Sequence, residues 1–394
     1  MPMRSGCQRL PNAQSAPDRI KHNEDDQMNL DPTFWAGKRV CVTGGTGFLG
    51  WHLVRQLLPL TPHVRIFGLP SASQQLSPQL ENLDCVYGDV RDPIAVRQAL
   101  RDCDIVFHAA GTVAVWGPAL QSMHEIHVVG TQQILHALPA QARLVHTSSV
   151  VAVGGARAGE ILTENSPFNL QALKVDYVHA KKAAEDIALE AAANGIDAVV
   201  VNPAYLIGPE DYDQSIMGRI CLRYWKRNVP LIPPWELNFV DVRDVARGHL
   251  LAAERGRRGV RYILGGANRT MGEFIDLLAE VRGHSKRWRI RMPVWFQSIA
   301  AYLAEQRSRY LQREPRLSRQ FASLCRYRWH YSSARAEAEL GYQARPLEES
   351  LQDAHQWFCE QGWLQPFRVV EPQQADSSKR RQTSGKIPLP AESD

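Results

Sequence analysis

No run of 18 apolar residues occurs in this 394-residue chain, so no segment reads as a membrane span. The first 30 residues, which include Asn23-Glu24-Asp25-Asp26, lack the apolar core of a secretory signal. Residues 1–35 are predicted as a disordered leader. Residues 369–394, around Ser377-Ser378-Lys379-Arg380-Arg381, are predicted as a disordered tail. Seven cysteines make an odd number, and no Cys-x-x-Cys pair is found. Cys41, Cys85 and Cys103 fall in or beside apolar runs. That reads as free thiols in a reducing cytosol, not as a disulfide framework or zinc site. A cytoplasmic protein without a metal is expected. No internal repeat is visible. Carboxylates are missing from one further place, since no Asp or Glu stands between Gly50 and Glu81.

What is present begins with Thr43-Gly44-Gly45-Thr46-Gly47-Phe48-Leu49-Gly50. The apolar run Arg39-Val40-Cys41-Val42 before it reads as a buried strand. After it, Phe48, Leu49, Leu53, Val54, Leu57 and Leu58 recur at helical spacing. A glycine-rich turn between strand and helix aims backbone N–H groups and the helix dipole at an anion. Gly44 permits the tight turn, Gly47 lets backbone approach a pyrophosphate, and Gly50 lets the helix pack on the sheet. Dinucleotide binding is the expectation, and an ordinary tight turn is the alternative.

Two later segments carry chemistry. His146-Thr147-Ser148-Ser149 closes the apolar run Leu144-Val145 and reads as a strand end. Tyr177-Val178-His179-Ala180-Lys181 opens a helix continuing through Ala183, Ala184, Ile187 and Ala188. Tyr at i and Lys at i+4 share a helical face. An unperturbed phenol titrates near ~10, and a nearby ammonium favours its charged form. Such a pair suits general acid/base work on an alcohol or carbonyl oxygen, with a serine hydroxyl to hold that oxygen. The bland alternative is a helix with an exposed Lys and a half-buried Tyr.

Strands are predicted at 39–43, 63–67, 84–87, 104–108, 142–147, 197–202 and 261–265. Helices are predicted at 47–59, 93–101, 118–138 and 176–194. Strict alternation implies an α/β fold, a doubly wound parallel (Rossmann) sheet. From about 205 onward alternation fails, and Pro230, Pro233 and Pro234 mark turns. The dinucleotide-binding domain is placed at 36–204 plus 237–265, with 237–244 and 261–265 returning to the main sheet. A smaller, mostly helical substrate domain is placed at 205–236 and 266–368.

The Gly-x-x-Gly-x-x-Gly spacing, Ser149, Tyr177 and Lys181 in this order resemble the extended short-chain dehydrogenase/reductases. That group is the NAD-dependent epimerase/dehydratase superfamily. The run from Tyr177 to Glu185, with Asn202-Pro203 and Ile207-Gly208-Pro209, is similar within it to dihydroflavonol-4-reductase-like proteins. The resemblance covers about 36–365. It implies that Ser149, Tyr177 and Lys181 are catalytic, with Ser148 as the alternative serine. Cofactor-binding positions implied are Gly44, Thr46, Gly47, Phe48, Leu49, Gly50, Asp89, Val90, Ala109, Ala110, Tyr177, Lys181 and Pro203. Asp89 would meet the adenine amino group. Ala109 and Ala110 would let backbone approach the ribose and nicotinamide. Phe239 to Ala246 is a landmark whose aspartates are expected to satisfy backbone N–H groups.

Three departures qualify the resemblance. His127 stands where the family has an Asn that orders a proton-relay water or a backbone carbonyl. Either a surviving relay or a steric substitution is implied. Absence of a carboxylate after Gly50 favours NADP(H) over NAD(H), which stays possible. Ser71 and Ser73 are candidate phosphate partners, with Arg65 or Arg91 as helpers. Val150-Val151 after Ser149 replaces the Asp-Glu of a sugar-nucleotide 4,6-dehydratase, so that chemistry is not expected. The activity implied is reduction of a ketone on a hydrophobic or mixed small molecule, or the reverse. Alternatives are an NDP-sugar epimerase with retained NAD, a 3β-hydroxysteroid dehydrogenase-like enzyme, and a non-enzymatic NADP sensor.

Residues 282–335 hold thirteen Lys/Arg against Glu305 and Glu314, a net of +11, around the apolar run Pro293 to Leu303. Three readings fit: a core helix with solvated flanks, a helix at 292–305 resting on an anionic membrane, or attraction of an anionic substrate. No nucleic-acid module is present. A homodimer is implied by the resemblance, through 118–138 and 176–194, where Leu120, Ile134, Leu135, Ile187, Leu189 and Ala191 extend the apolar faces.

Overall fold

A computed structural model describes residues 30–69, 80, 83–113, 118–227, 231–283, 290–311 and 318–365. Seven parallel strands form its main sheet, in the order β3-β2-β1-β4-β5-β6-β10. These are β1 (Val40–Thr43), β2 (Val64–Gly68), β3 (Asp84–Tyr87), β4 (Ile105–His108), β5 (Arg143–Thr147), β6 (Ala198–Pro203) and β10 (Arg261–Leu264). Every residue of β1, β4 and β6 is buried, as expected for strands covered by helices on both faces. Helices Phe48–Leu57, Pro93–Leu100 and Asp176–Ala193 supply crossovers. The chain winds outward from β1 to β3 and then restarts beside β1 at β4. Ligands of such sheets bind in the crevice at this reversal.

The described fold starts earlier than predicted. Asp31 caps the turn Pro32–Trp35 by accepting from the Thr33 amide at 2.9 Å. Trp35 is fully buried, and its indole donates to Glu254 at 3.3 Å. An aromatic side chain of that area anchors the end of the predicted leader to the core.

A second correction concerns 237–244. Residues Glu236–Asp241 form β9, but β9 does not enter the main sheet. It pairs with β7 (Tyr205–Ile207) in parallel and β11 (Ala267–Thr270) antiparallel, in a separate three-stranded sheet. Asp241 then caps the helix Val242–Arg255 by accepting from the Arg243 amide at 2.8 Å. This helix runs back against Phe48–Leu57, where Gln56 donates to the Arg243 carbonyl. The landmark aspartates do satisfy backbone, since Asp244 accepts from the Arg345 amide at 2.8 Å. They also pair with guanidinium groups, Asp241 with Arg243 and Asp244 with Arg345.

The predicted helix at 118–138 runs from Pro118 to Ala137 without a break, but its winding is not uniform. A π-turn at Glu125–Val129 separates Pro118–His124 from Gly130–Ala137. Ile134 is fully buried in the chain's own core, which removes it from the residues expected at a dimer contact. Leu120, Leu135, Ile187, Leu189 and Ala191 are only half-buried.

Candidate active site

Gly44 has φ +69, and a Cβ there would lie 2.8 Å from the Ala110 Cα. A Cβ on Gly50 would lie 2.0 Å from the Gly44 carbonyl oxygen. Glycine is therefore required at both positions, once for the left-handed turn and once for the close approach. Gly47 is the N-cap of Phe48–Leu57 and offers no capping side chain, so the first amides of this helix face the crevice. The helix is held by Trp51, whose indole donates to Glu210 at 2.8 Å, and by an Arg55–Glu210 ion pair.

The loop after β4 is fixed by a directed chain of hydrogen bonds. The Ala110 amide donates to Thr43 Oγ1 at 3.1 Å, and that hydroxyl lies 2.8 Å from His108 Nδ1. His108 Nε2 lies 3.2 Å from Thr131 Oγ1, whose hydroxyl donates to the His127 carbonyl at 2.6 Å. The directions assign His108 the Nε2–H tautomer. Burial and the Lys181 charge lower its pKa to about 3, so the ring is neutral. This chain ties the Ala109–Ala110 backbone to the π-turn that carries His127. Such turns often mark functional sites.

His127 is itself buried, with its pKa lowered to about 3 by burial and then by Lys181. Its Nε2 sits 2.8 Å from the Thr112 carbonyl, a geometry in which the ring donates. Its ring meets Tyr177 edge to face at 6.0 Å between centroids. The neutral ring thus braces Tyr177 and ties down the Thr112 carbonyl.

Asp176–Ala193 presents Tyr177 and Lys181 on one face, and Ser149 comes from the end of β5. Burial raises the pKa of Tyr177, and a hydrogen bond with Ser149 opposes the rise. The expected lowering by Lys181 is not what this geometry gives. The Lys181 Nζ donates instead to the Thr147 carbonyl at 3.0 Å, and burial lowers its pKa to about 8 while Glu185 pulls it upward. Beneath it, fully buried Glu185 pairs with Arg261 at 2.9 Å and accepts from Asn202 Nδ2 at 2.6 Å. The same Nδ2 donates to the Ser149 carbonyl at 2.9 Å, so one amide braces both the serine loop and the lysine helix.

One cleft of about 700 Å³ gathers these parts. Its walls include Gly44, Thr46, Gly47, Phe48, Leu49 and Gly50 from the glycine turn, and Asp89 and Val90 from beyond β3. Ala109 and Ala110 follow β4, Ser149, Tyr177 and Lys181 stand opposite, and Pro203 ends β6. Ser149, Tyr177 and Lys181 and every cofactor-binding position implied by the resemblance therefore line one cleft. The glycine cradle, the open helix N-terminus and a volume of this size fit a dinucleotide. Ser148 is not on the cleft; it is buried, and its hydroxyl has no hydrogen-bond partner. Asp89 reaches the cleft, but its carboxylate is held by Arg91 at 2.7 Å, which keeps its pKa low. Arg91 also pairs with Glu125 at 2.9 Å.

The Arg65 expectation fails. Its side chain turns to Asp84 at 2.7 Å and to the Ala99 and Arg101 carbonyls, away from the cleft. Gly68 does line the cleft, whereas Ser71 and Ser73 lie outside the described residues. Beyond Tyr205, which lies in the Asn202 to Pro209 stretch, sequence reasoning missed the far wall of the cleft, lined by Met217, Arg219, Gln320 and Leu324. No motif marks these four, because they come from two helices distant in sequence, Ile216–Arg227 and Arg319–Leu324. Among the described residues no group of three metal-ligating side chains comes together, and no helix is long and apolar enough to cross a membrane.

Comparison with known proteins agrees with this fold. The model of the NAD dependent epimerase/dehydratase family matches residues 40–265. A Synechocystis protein provisionally named dihydroflavonol 4-reductase is 34% identical over 85% of this chain and 99% of its own. Sterol demethylase protein B of Methylococcus capsulatus is 32% identical over 82% of this chain and 99% of its own. The crystal structure of gox2253 superposes with a TM-score of 0.73 at 31% identity, covering 83% of this chain and all of that one. The chain belongs to the NAD dependent epimerase/dehydratase family and is an oxidoreductase of the extended short-chain type.

Proposed function

We propose that the protein is an NADP(H)-dependent reductase that converts a ketone on a hydrophobic or mixed small molecule to a secondary alcohol, or runs the reverse. The observation that carries this reading is the convergence of Ser149, Tyr177 and Lys181 on the cleft that the glycine turn opens. When bound, the dihydronicotinamide supplies the hydride. Tyr177 gives a proton to the carbonyl oxygen, and its raised pKa keeps that proton available at neutral pH. Ser149 donates to the same oxygen and stabilises charge developing there. Lys181, cationic below about pH 8, would hold the ribose hydroxyls of the bound cofactor.

Tyr205, Met217 and Leu324 make the opposing wall largely apolar, with Arg219 and Gln320 as polar points, which favours a mixed substrate. The reductase name of the Synechocystis relative supports the direction of the chemistry. Absence of any carboxylate between Gly50 and Glu81, with bare Gly68 at the end of β2, supports NADP(H). The half-buried Leu120, Leu135, Ile187 and Leu189 support a homodimer, which light scattering tests; a concentration-independent monomer mass contradicts it.

Incubation of the purified protein with NADPH and a panel of apolar ketones tests the function. Oxidation of NADPH matched by alcohol formation is expected. Tightly retained NAD, with no consumption of added cofactor, would make the protein an epimerase instead.

A further inference from the structure

The helix Val294–Leu311 is built inside out. Gln297, Ala301 and Ser308 point inward at 1%, 0% and 7% exposure, while Trp295, Ile299 and Leu303 are 64%, 51% and 60% exposed. Phe296 and Tyr302 are exposed as well. A surface helix normally turns its apolar stripe toward the core and its polar residues toward water. The core-helix reading of this segment is therefore corrected. Trp295 and Phe296 pack edge to face at 5.9 Å and form one apolar knob. A contiguous patch of this kind marks an interface, unlike single scattered apolar residues.

Charge identifies the occupant. Arg291, Arg307 and Arg319 are exposed around the patch, within the segment 282–335 that carries thirteen cations against two anions. A second copy of the chain on this face would bring two such segments together, and their charges repel. An anionic bilayer surface neutralises them and accepts aromatic and aliphatic side chains at headgroup depth. The helix is also tied to the cleft. The Arg319 amide donates to Glu305 at 2.6 Å, and the Arg319 guanidinium lies 5.8 Å from the Tyr302 ring centre. In the same helix, Arg319–Leu324, Gln320 and Leu324 line the substrate side of the cleft.

We propose that Trp295, Phe296, Ile299, Tyr302 and Leu303 rest on an anionic phospholipid surface, with the helix lying in its plane. The substrate side of the cleft then stands next to the bilayer, where an apolar ketone is concentrated. The docking claim stands whether or not the reductase reading does.

Co-sedimentation of the full chain with vesicles tests it, using phosphatidylcholine alone and phosphatidylcholine with phosphatidylglycerol. Binding is expected only with phosphatidylglycerol present, weakening as salt rises. Trp295→Ser/Phe296→Ser and Arg291→Glu/Arg307→Glu should each weaken it by at least about tenfold. All four positions are exposed, and circular dichroism checks that both variants fold. Failure to bind the anionic vesicles, or binding by either variant as tight as that of wild type, overturns the proposal. So does wild-type self-association that Trp295→Ser/Phe296→Ser disperses, which would assign the face to a second copy.

Discussion

Lys181 Nζ donates to the Thr147 carbonyl at 3.0 Å, directly beneath the loop that carries Ser149. The amine is thereby held at a set height under the cleft, on the helical face it shares with Tyr177. Burial is the larger influence on it, and it brings the pKa from 10.5 to about 8 despite Glu185. A lysine poised there changes charge just above neutrality.

A pH dependence follows from that value. Reduction needs the cationic Lys181 and the protonated Tyr177, so kcat/KM should be level at neutral pH and fall above about pH 8. The folded-state pKa lies below the unfolded one, so the unfolded chain binds more protons between about 8 and 10.5. This group's contribution to stability therefore rises with pH across that window. A pH–rate profile level to pH 10 would contradict the assignment.

Cofactor choice turns on Gly68. A Cβ there would lie 3.2 Å from Thr46 Oγ1, a contact that a small side-chain shift relieves, and Gly68 faces the cleft. Wild type should bind NADPH more tightly than NADH. Gly68→Asp should reverse the order, because the new carboxylate repels a 2′-phosphate by on the order of a kcal/mol or more. Fluorescence titration of both cofactors against both proteins decides it. A wild-type preference for NADH would contradict the placement of the adenosine pocket.

Thr131→Val should expose the value of the buried hydrogen-bond chain. The substitution keeps shape but leaves the buried His108 Nε2 without its partner, while the His127 carbonyl still accepts from the Gly130 amide. Such a group costs roughly 1–3 kcal/mol when buried and unsatisfied. Urea denaturation should show a loss in that range, and an unchanged midpoint would contradict the chain as drawn.

Much of this was legible in the residues. Apolar runs such as Val40-Cys41-Val42 and Ala198 to Val201 mark strands buried on both faces, and the main-sheet strands fall where they stand. The glycine turn and the Tyr177/Lys181 spacing are local patterns, so sequence carries them directly. Pairing partners are not local. Glu236–Asp241 reads as a strand, but nothing in its own residues chooses β7 and β11 over β6. The π-turn at Glu125–Val129 escapes detection because one extra residue in a turn leaves composition unchanged. Arg65 was misjudged because its place beside the cofactor region says nothing of direction. On β2 its side chain leaves on the face covered by Pro93–Leu100, whose Ala99 carbonyl takes it.

The most direct measurement is single-turnover hydride transfer by Tyr177→Phe. With a ketone substrate and saturating NADPH, the rate should drop by at least roughly 10²-fold, the lower range for a positioned general acid. NADPH affinity, read from fluorescence, should stay nearly unchanged, since the phenyl ring still packs against His127. Turnover at the wild-type rate in that variant would contradict the placement of the proton donor, and with it the reading of the cleft as a reductase site.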